Sequence, residues 1–259
     1  GVMPDAVPRD HWFEDLADHL GSAYLRYSFT KGTDQEVAFL VEELGLEPGM
    51  RVLDVGCGPG RHAHALGALG VEVHGIDISH RFIELARTDA PEGVTFERCD
   101  ARELRFDGEF DAAISLCQGA FGLAGGGPEV AAVSDPDAGV LDGIARAVRP
   151  GGAVALSAFS AYFQVRHAEA MESDFDATRG VNHERTTIKD EQGRDSEVDL
   201  WTTCFTPREL RLLAERAGLH AELDGYYLAR PLDEVFAANP GAVATVELHP
   251  GQALFIPAA

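Results

Sequence analysis

Five short apolar runs between residues 51 and 159, separated by turns and helix-compatible stretches, constrain this chain more than any other feature of it. They lie in RVLDVGCGPG from Arg51, VEVHGID (Val71 to Asp77), VTFERCD ending at Asp100, FDAAISLC (Phe110 to Cys117) and AVALSAF (Ala153 to Phe159). Runs that are apolar on both faces belong to buried strands, and helices between them make neighbouring strands parallel. Right-handed crossovers then predict an open, doubly wound α/β sheet whose ligands bind beyond the carboxyl ends of its strands.

The connecting segments carry their own signals. Between Thr33 and Gly45, Val37, Leu40, Val41 and Leu44 share one helical face, Thr33 and Glu36 stand at capping-box spacing, and Gly45 is a good terminator. A helix follows from Arg61 to Leu69, and Ser79 caps another that turns Phe82, Ile83 and Ala86 inward. A further helix is expected near Val140 to Val148, stopped by Pro150-Gly151-Gly152. From residue 160 to 199 the periodicity breaks down among charges and glycines, so 160–205 reads as a cap inserted after the fifth strand. Thr206 as N-cap, Pro207 at the first helical position and Glu209 two further on start a last helix running to Gly218. Stretches around Leu219 to Leu228 and Gln252 to Pro257 supply closing strands. With no internal repeat and no low-complexity linker, residues 1–259 read as one domain, with 1–33 as an N-terminal lid segment.

The glycine cluster Gly56-Cys57-Gly58-Pro59-Gly60 lies between the first strand and its helix, where glycines let the backbone pass close to a ligand. Asp77 ends the next strand about 20 residues on, where a carboxylate accepts both ribose hydroxyls of a nucleoside. The glycine spacing departs from the G-x-G-x-x-G of dinucleotide sites, and Asp54 would repel a pyrophosphate while suiting a ligand that carries an ammonium and a sulfonium. Asp54, Asp77 and Asp100 could each be a strand-end turn former, but three acids at successive strand ends beside one glycine loop favour a site. VLDVGCGPG, GIDIS, CDA and RPGG together resemble the class I S-adenosylmethionine-dependent methyltransferases, over Leu40 to Phe159 and from Thr206 onward. The resemblance implies a Rossmann-like fold and S-adenosylmethionine as cofactor, released as S-adenosylhomocysteine. It further implies that Gly56, Gly58 and Gly60 line the methionyl part, with Asp54 and Cys57 in the same set. Asp77, with Ile78 beside it, would hold the ribose, and Asp100 and Ala101 would meet the adenine. Leu116, Cys117 and Gln118 would flank the sulfonium, the first two through their backbone.

Composition narrows the acceptor. The formal net charge is −22, from 43 acidic against 21 basic residues, which repels nucleic-acid phosphates and anionic membranes. The fourth strand ends in Ser115-Leu116-Cys117-Gln118, not in the Asn/Asp-Pro-Pro-aromatic motif of methyltransferases that act on base or amide nitrogens. A small-molecule acceptor is therefore expected, with oxygen or nitrogen ahead of carbon and no nucleic-acid or membrane partner. Cys57, Cys99, Cys117 and Cys204 are widely spaced, so neither a metal site nor a disulfide framework is expected. No apolar run reaches the ~18 residues of a membrane span and no secretory leader is legible, so a cytoplasmic location is expected.

Methyl transfer from a sulfonium mostly needs alignment and the exclusion of water. If a hydroxyl or an ammonium is methylated, a base must take its proton, and His183, in the segment where this fold builds acceptor pockets, is the candidate. A nicotinamide oxidoreductase and a non-catalytic S-adenosylmethionine-binding protein remain as alternatives. Ligand binding separates the former and turnover the latter. Asp77→Ala is expected to weaken cofactor binding with little change in stability, since it sits at a strand end.

Overall fold

In a computed structural model describing residues 11–117, 119–127, 135–167, 174–223 and 253–257, the five apolar runs pair as parallel strands. They are β1 (Arg51–Val55), β2 (Glu72–Asp77), β3 (Val94–Arg98), β4 (Phe110–Ser115) and β5 (Val148–Ser157), in spatial order β3-β2-β1-β4-β5. Strand order reverses between β1 and β4, so the connections after these strands diverge and leave a crevice at their carboxyl ends. Both faces of β1 are covered: Leu53 and Val55 pack with Phe110, Leu141 and Ile144 on one side, Val52 with Leu66, Val73 and Ile83 on the other. Burying each such side chain is worth about 1.5–3 kcal/mol, which makes the sheet a rigid base for the loops at its edge.

The helices around the sheet are α1 (Trp12–Leu20), α2 (Thr33–Glu43), α3 (Arg61–Ala68), α4 (His80–Arg87) and α5 (Pro136–Ala147). Ser79 caps α4 as expected, its Oγ accepting from the Phe82 N–H at 3.1 Å. The start of α2 differs from the expected capping box. Gly32 is its N-cap and no side chain caps it, because Glu36 turns away to ion-pair with Arg61 and Thr33 Oγ1 donates to the Thr30 carbonyl. A buried guanidinium is a stronger partner for a carboxylate than a helix-end amide. Helix α5 starts at Pro136, ahead of the expected Val140, because Asp135 caps it and Pro136 sits in its first turn. The buried carboxylate of Asp137 accepts from the backbone N–H groups of Gly122 and Ala124 and from Thr203 Oγ1, fixing the loop that follows β4.

The 160–205 segment is more regular than its sequence suggests. Strands β6 (Phe159–Ser160), β7 (Asp174–Asp176), β8 (Val181–Lys189) and β9 (Asp195–Phe205) form a second sheet in the order β6-β9-β8-β7, and helix α6 (Ala161–His167) follows β6. An unbroken antiparallel register runs from Val181↔Thr203 to Lys189↔Asp195, and Asp190 closes the turn by accepting from the Gln192 and Arg194 N–H groups. The alternation was masked because His183 and Trp201 stack on the polar side while threonines take apolar-side positions. The hairpin tip clasps the N-terminal segment: Glu191 accepts from the Ser22 N–H and pairs with Arg81, and the Lys189 N–H donates to the Tyr27 hydroxyl. The Ser22 N–H and Arg81 together hold the Glu191 carboxyl down at about 2.

Thr206 and Glu209 form the expected capping box of α7 (Pro207–Arg216). The closing strands are β10 (Glu222–Leu223) and β11 (Ala253–Pro257), with β11 antiparallel to both β5 and β10. No helix among the described residues is long and apolar enough to cross a membrane.

Candidate active site

Strand β1 delivers the chain into Gly56, whose N–H donates to the Ile76 carbonyl at 2.8 Å and whose φ is +74°. A Cβ there would lie 2.0 Å from the carbonyl carbon and oxygen of Gly119, so the loops after β1 and β4 touch backbone to backbone. Gly58, at φ +54°, donates its N–H to Asp77 Oδ2 at 2.9 Å, and its open side meets only the Tyr24 ring, at 3.8 Å. Asp77 Oδ1 accepts from the Ser79 N–H at 2.8 Å. Each oxygen keeps a lone pair for a further donor. At the end of β3, Asp100 caps a short turn and is held by Arg102 through backbone and guanidinium. Burial raises the Asp100 carboxyl, and the Arg102 bonds more than offset this and hold it below the usual range.

These strand ends border a cleft with two lobes that share Gly56, Asp77 and Gly119. The first, about 410 Å³, adds Ile78, Asp100 and Ala101. The second, about 890 Å³, adds Gly58 and Cys117 from the strand ends, Tyr24 and Tyr27 from the N-terminal segment, and Phe159, Thr186, Leu200 and Thr202 from the second sheet. Tyr24 and Tyr27, aromatics that the sequence offers for a lid over the acceptor, carry no motif, and the charges and threonines of the hairpin obscure its strand alternation.

Cys57, Gly60 and Leu116 sit off the cleft. Cys57 is buried, its Sγ 3.0 Å from where a Cβ of Gly75 would stand, so only its backbone belongs to the loop. Gly60 is the N-cap of α3 and lies against Phe96, and Leu116 packs on the core. Gln118 lies outside the described residues. Cys117 has φ +55°, its N–H donates to Ser157 Oγ at 2.7 Å, and its Sγ accepts from Arg61 at 2.8 Å. His183 lies away from the second lobe. Thr186, Ile188, Leu200 and Thr202 face the cleft, and alternation along β8 and β9 puts His183 and its register partner Trp201 on the opposite side. There His183 stacks on Trp201, ring centroids 4.8 Å apart, and bonds Asp199 at 2.8 Å, a structural use of the ring.

Beneath the glycine loop, Asp54 is buried and its Oδ2 has no hydrogen-bond partner. Burial pushes its carboxyl up to about 7, against the pull of Arg61, and Asp77 adds repulsion. Burial likewise lifts Asp77 to about 6, against the two backbone bonds it accepts. Arg61 is itself held by Glu36 at 2.5 Å and by Thr33 Oγ1, and Glu36 also bonds His62 at 2.6 Å. An orphaned buried carboxylate, a second carboxylate with free lone pairs and an open glycine cradle fit a ligand with a ribose and positive charge.

These shifts have a consequence for pH dependence. Both carboxyls lie above their ordinary value of 3.8, so between pH ~4 and ~7 the folded chain keeps protons that the unfolded chain has released. The unliganded protein should therefore lose stability as pH rises through that window, and the affinity for a cationic sulfonium should rise over it. Melting temperatures from pH 5 to 8, and calorimetry with S-adenosylmethionine against the uncharged thioether S-adenosylhomocysteine, test this. An Asp54→Asn protein with an unchanged pH slope would remove Asp54 as the source.

The family model of a methyltransferase domain matches residues 46–216, spanning both lobes' strand ends. The chain is a class I S-adenosylmethionine-dependent methyltransferase. It is 30% identical over 202 residues to the cypemycin N-terminal methyltransferase of a Streptomyces species, covering 71% of this chain and 78% of that one. It is 32% identical over 188 residues to the 27-O-demethylrifamycin SV methyltransferase of Amycolatopsis mediterranei, covering 65% of this chain and 62% of that one. Against the demethylmenaquinone methyltransferase of Beutenbergia cavernae the match is 34% and spans 45% of that enzyme. The fold is shared with the CcbJ methyltransferase of Streptomyces caelestis, with a TM-score of 0.67, 16% identity and coverage of 97% of this chain and 100% of that one. It is also shared with S-adenosylmethionine-bound CalS10 of Micromonospora echinaspora, with a TM-score of 0.56, 19% identity and coverage of 91% and 94%. This methyltransferase therefore takes S-adenosylmethionine as its methyl donor.

Proposed function

We propose that this methyltransferase transfers the methyl group to an oxygen or nitrogen of a small molecule seated in the second lobe. The observation that carries this reading is the meeting of the two lobes at Gly56, Asp77 and Gly119, one lined by strand-end carboxylates, the other by apolar and aromatic side chains. Relatives named for N-terminal and for O-methylation support both acceptor atoms.

On this reading Asp77 holds the ribose hydroxyls, Asp100 and Ala101 border the adenine, and Gly56, Gly58 and the Cys117 backbone line the methionyl part. Asp54 supplies negative charge beneath the ammonium and sulfonium. S-adenosylmethionine brings a methyl group on a leaving group that needs no protonation, so the chain's task is to align the acceptor and keep water out. Leu16, Leu20 and Phe82 close the second lobe behind Tyr24, and the described parts of residues 1–33 and 160–205 act as lid and cap over it. No histidine lines that lobe among its described residues, so alignment is the main catalytic device and His183 a packing residue.

Calorimetry with S-adenosylhomocysteine and NADH, followed by single-turnover transfer from labelled S-adenosylmethionine to candidate acceptors, tests the reading. S-adenosylhomocysteine should bind and NADH should not, and His183→Ala should transfer within about twofold of wild type, against the ~10²–10⁴-fold loss expected of a removed general base. Binding without transfer to any amine or alcohol would favour a sensor. A loss of ~10²-fold in folded His183→Ala would restore the histidine as base.

A further inference from the structure

The cleft-facing side of the β8–β9 hairpin carries more than the side chains that line the second lobe. Asn182 and Glu184 precede Thr186 at two-residue steps on β8, so all three share that face, and their register partners on β9 are Thr202 for Asn182 and Leu200 for Glu184. Both partners line the lobe. Asn182 is only 4% exposed and its Oδ1 has no hydrogen-bond partner, a condition costly enough that buried polar atoms rarely show it. Glu184 is half-buried next to it. Its sequence neighbours His183 and Arg185 face the other way, toward Asp199, which bonds the His183 ring and ion-pairs with Arg185. That face thus carries two acceptors, one anionic, beside the side chains that line the lobe; His183, though it bonds Asp199 on the other side, still draws the Glu184 carboxyl down.

The rest of the lobe has the same sign. The described residues lining it include Asp77 and no lysine, arginine or histidine, and Asp54 lies beneath the adjoining loop. Arg61, whose guanidinium reaches Cys117 at the lobe's edge, is paired with Glu36. An anionic acceptor would meet repulsion with no counter-charge, and a purely apolar one would leave Asn182 Oδ1 and the Glu184 carboxylate desolvated without donors.

The geometry points to Glu184 and Asn182 as the residues that select the acceptor, and to an amine carried on an apolar body as its chemical class. The inference rests on the methyl-transfer reading of the cleft and deepens it. A protonated amine supplies up to three donors for the Glu184 carboxylate and Asn182 Oδ1 while Leu200, Ile188 and Phe159 cover the apolar part, and one of its protons passes to Glu184 to free the nitrogen lone pair before that nitrogen takes the methyl group. Burial raises the Glu184 carboxyl above its ordinary value against the pull of His183, and a bound cation would bring it down further.

The test uses the full chain loaded with S-adenosylhomocysteine, and 4-phenylbutylamine and 4-phenylbutan-1-ol as probes equal in apolar body and different in headgroup. At pH 7.5 the wild type should bind the amine at least tenfold more tightly than the alcohol. Glu184→Gln should erase that preference while leaving alcohol and S-adenosylhomocysteine affinities within twofold, and Asn182→Leu should reduce it. Leu200→Trp, which fills the lobe, should weaken both probes. Equal binding of amine and alcohol by wild type, an intact preference in Glu184→Gln, no binding of either probe, or amine binding indifferent to Leu200→Trp would each overturn the inference. Failure of wild type to bind S-adenosylhomocysteine would instead overturn the methyl-transfer reading beneath it.

Discussion

Gly56→Ala is expected to cost about 4 kcal/mol of stability, most of the margin of a domain at the low end of the usual range of about 5–15 kcal/mol. Two effects add. A left-handed φ costs a non-glycine residue about 1–2 kcal/mol, and a Cβ placed 2.0 Å from the Gly119 carbonyl group forces apart two backbone segments that have no rotamer to change. Gly49→Ala separates the two, because Gly49 has φ +87° with nothing within 4 Å of a Cβ, so only the first cost should appear there. Urea unfolding of both variants gives the comparison. A Gly56→Ala protein no less stable than Gly49→Ala would mean that the loops after β1 and β4 do not touch. In any fraction that folds, S-adenosylhomocysteine affinity should fall as well, because Gly56 and Gly119 border both lobes.

Asp77→Ala is expected to reduce S-adenosylhomocysteine affinity at least 100-fold, about 3 kcal/mol, from the loss of charge-assisted bonds to two ribose hydroxyls. The sequence alone suggested that stability would hardly change, and the structure revises that expectation. Asp77 accepts from the Gly58 and Ser79 N–H groups, so alanine leaves two buried donors unsatisfied. Relief of the strain that burial puts on the ionised carboxyl offsets part of this, leaving a loss of about 2 kcal/mol. Asp77 therefore shapes the glycine loop as well as bordering the cleft, and both calorimetry and urea unfolding should respond. Full affinity in a folded Asp77→Ala protein would remove it from the site.

What the sequence determined by itself is what depends on near neighbours along the chain. The apolar runs, the glycine loop, the Ser79 cap and the Thr206–Glu209 box all appear where local chemistry puts them, because φ preferences, caps and strand burial act within a few residues. The acids Asp54, Asp77 and Asp100 were legible for the same reason, each standing in or just after a strand. Tertiary structure alone decided where competing partners went. Glu36 had a local use as a cap and took a distant one on Arg61, since a buried charge gains more from an opposite charge than from an amide. His183 looked available in a charged segment, and one residue of strand phase turned it away from the cleft. The second lobe is walled by residues far apart in sequence, Tyr24 and Tyr27, Phe159, and Thr186, Ile188, Leu200 and Thr202. No local pattern encodes such a wall, because its chemistry arises only when strand pairing and helix packing bring those faces together.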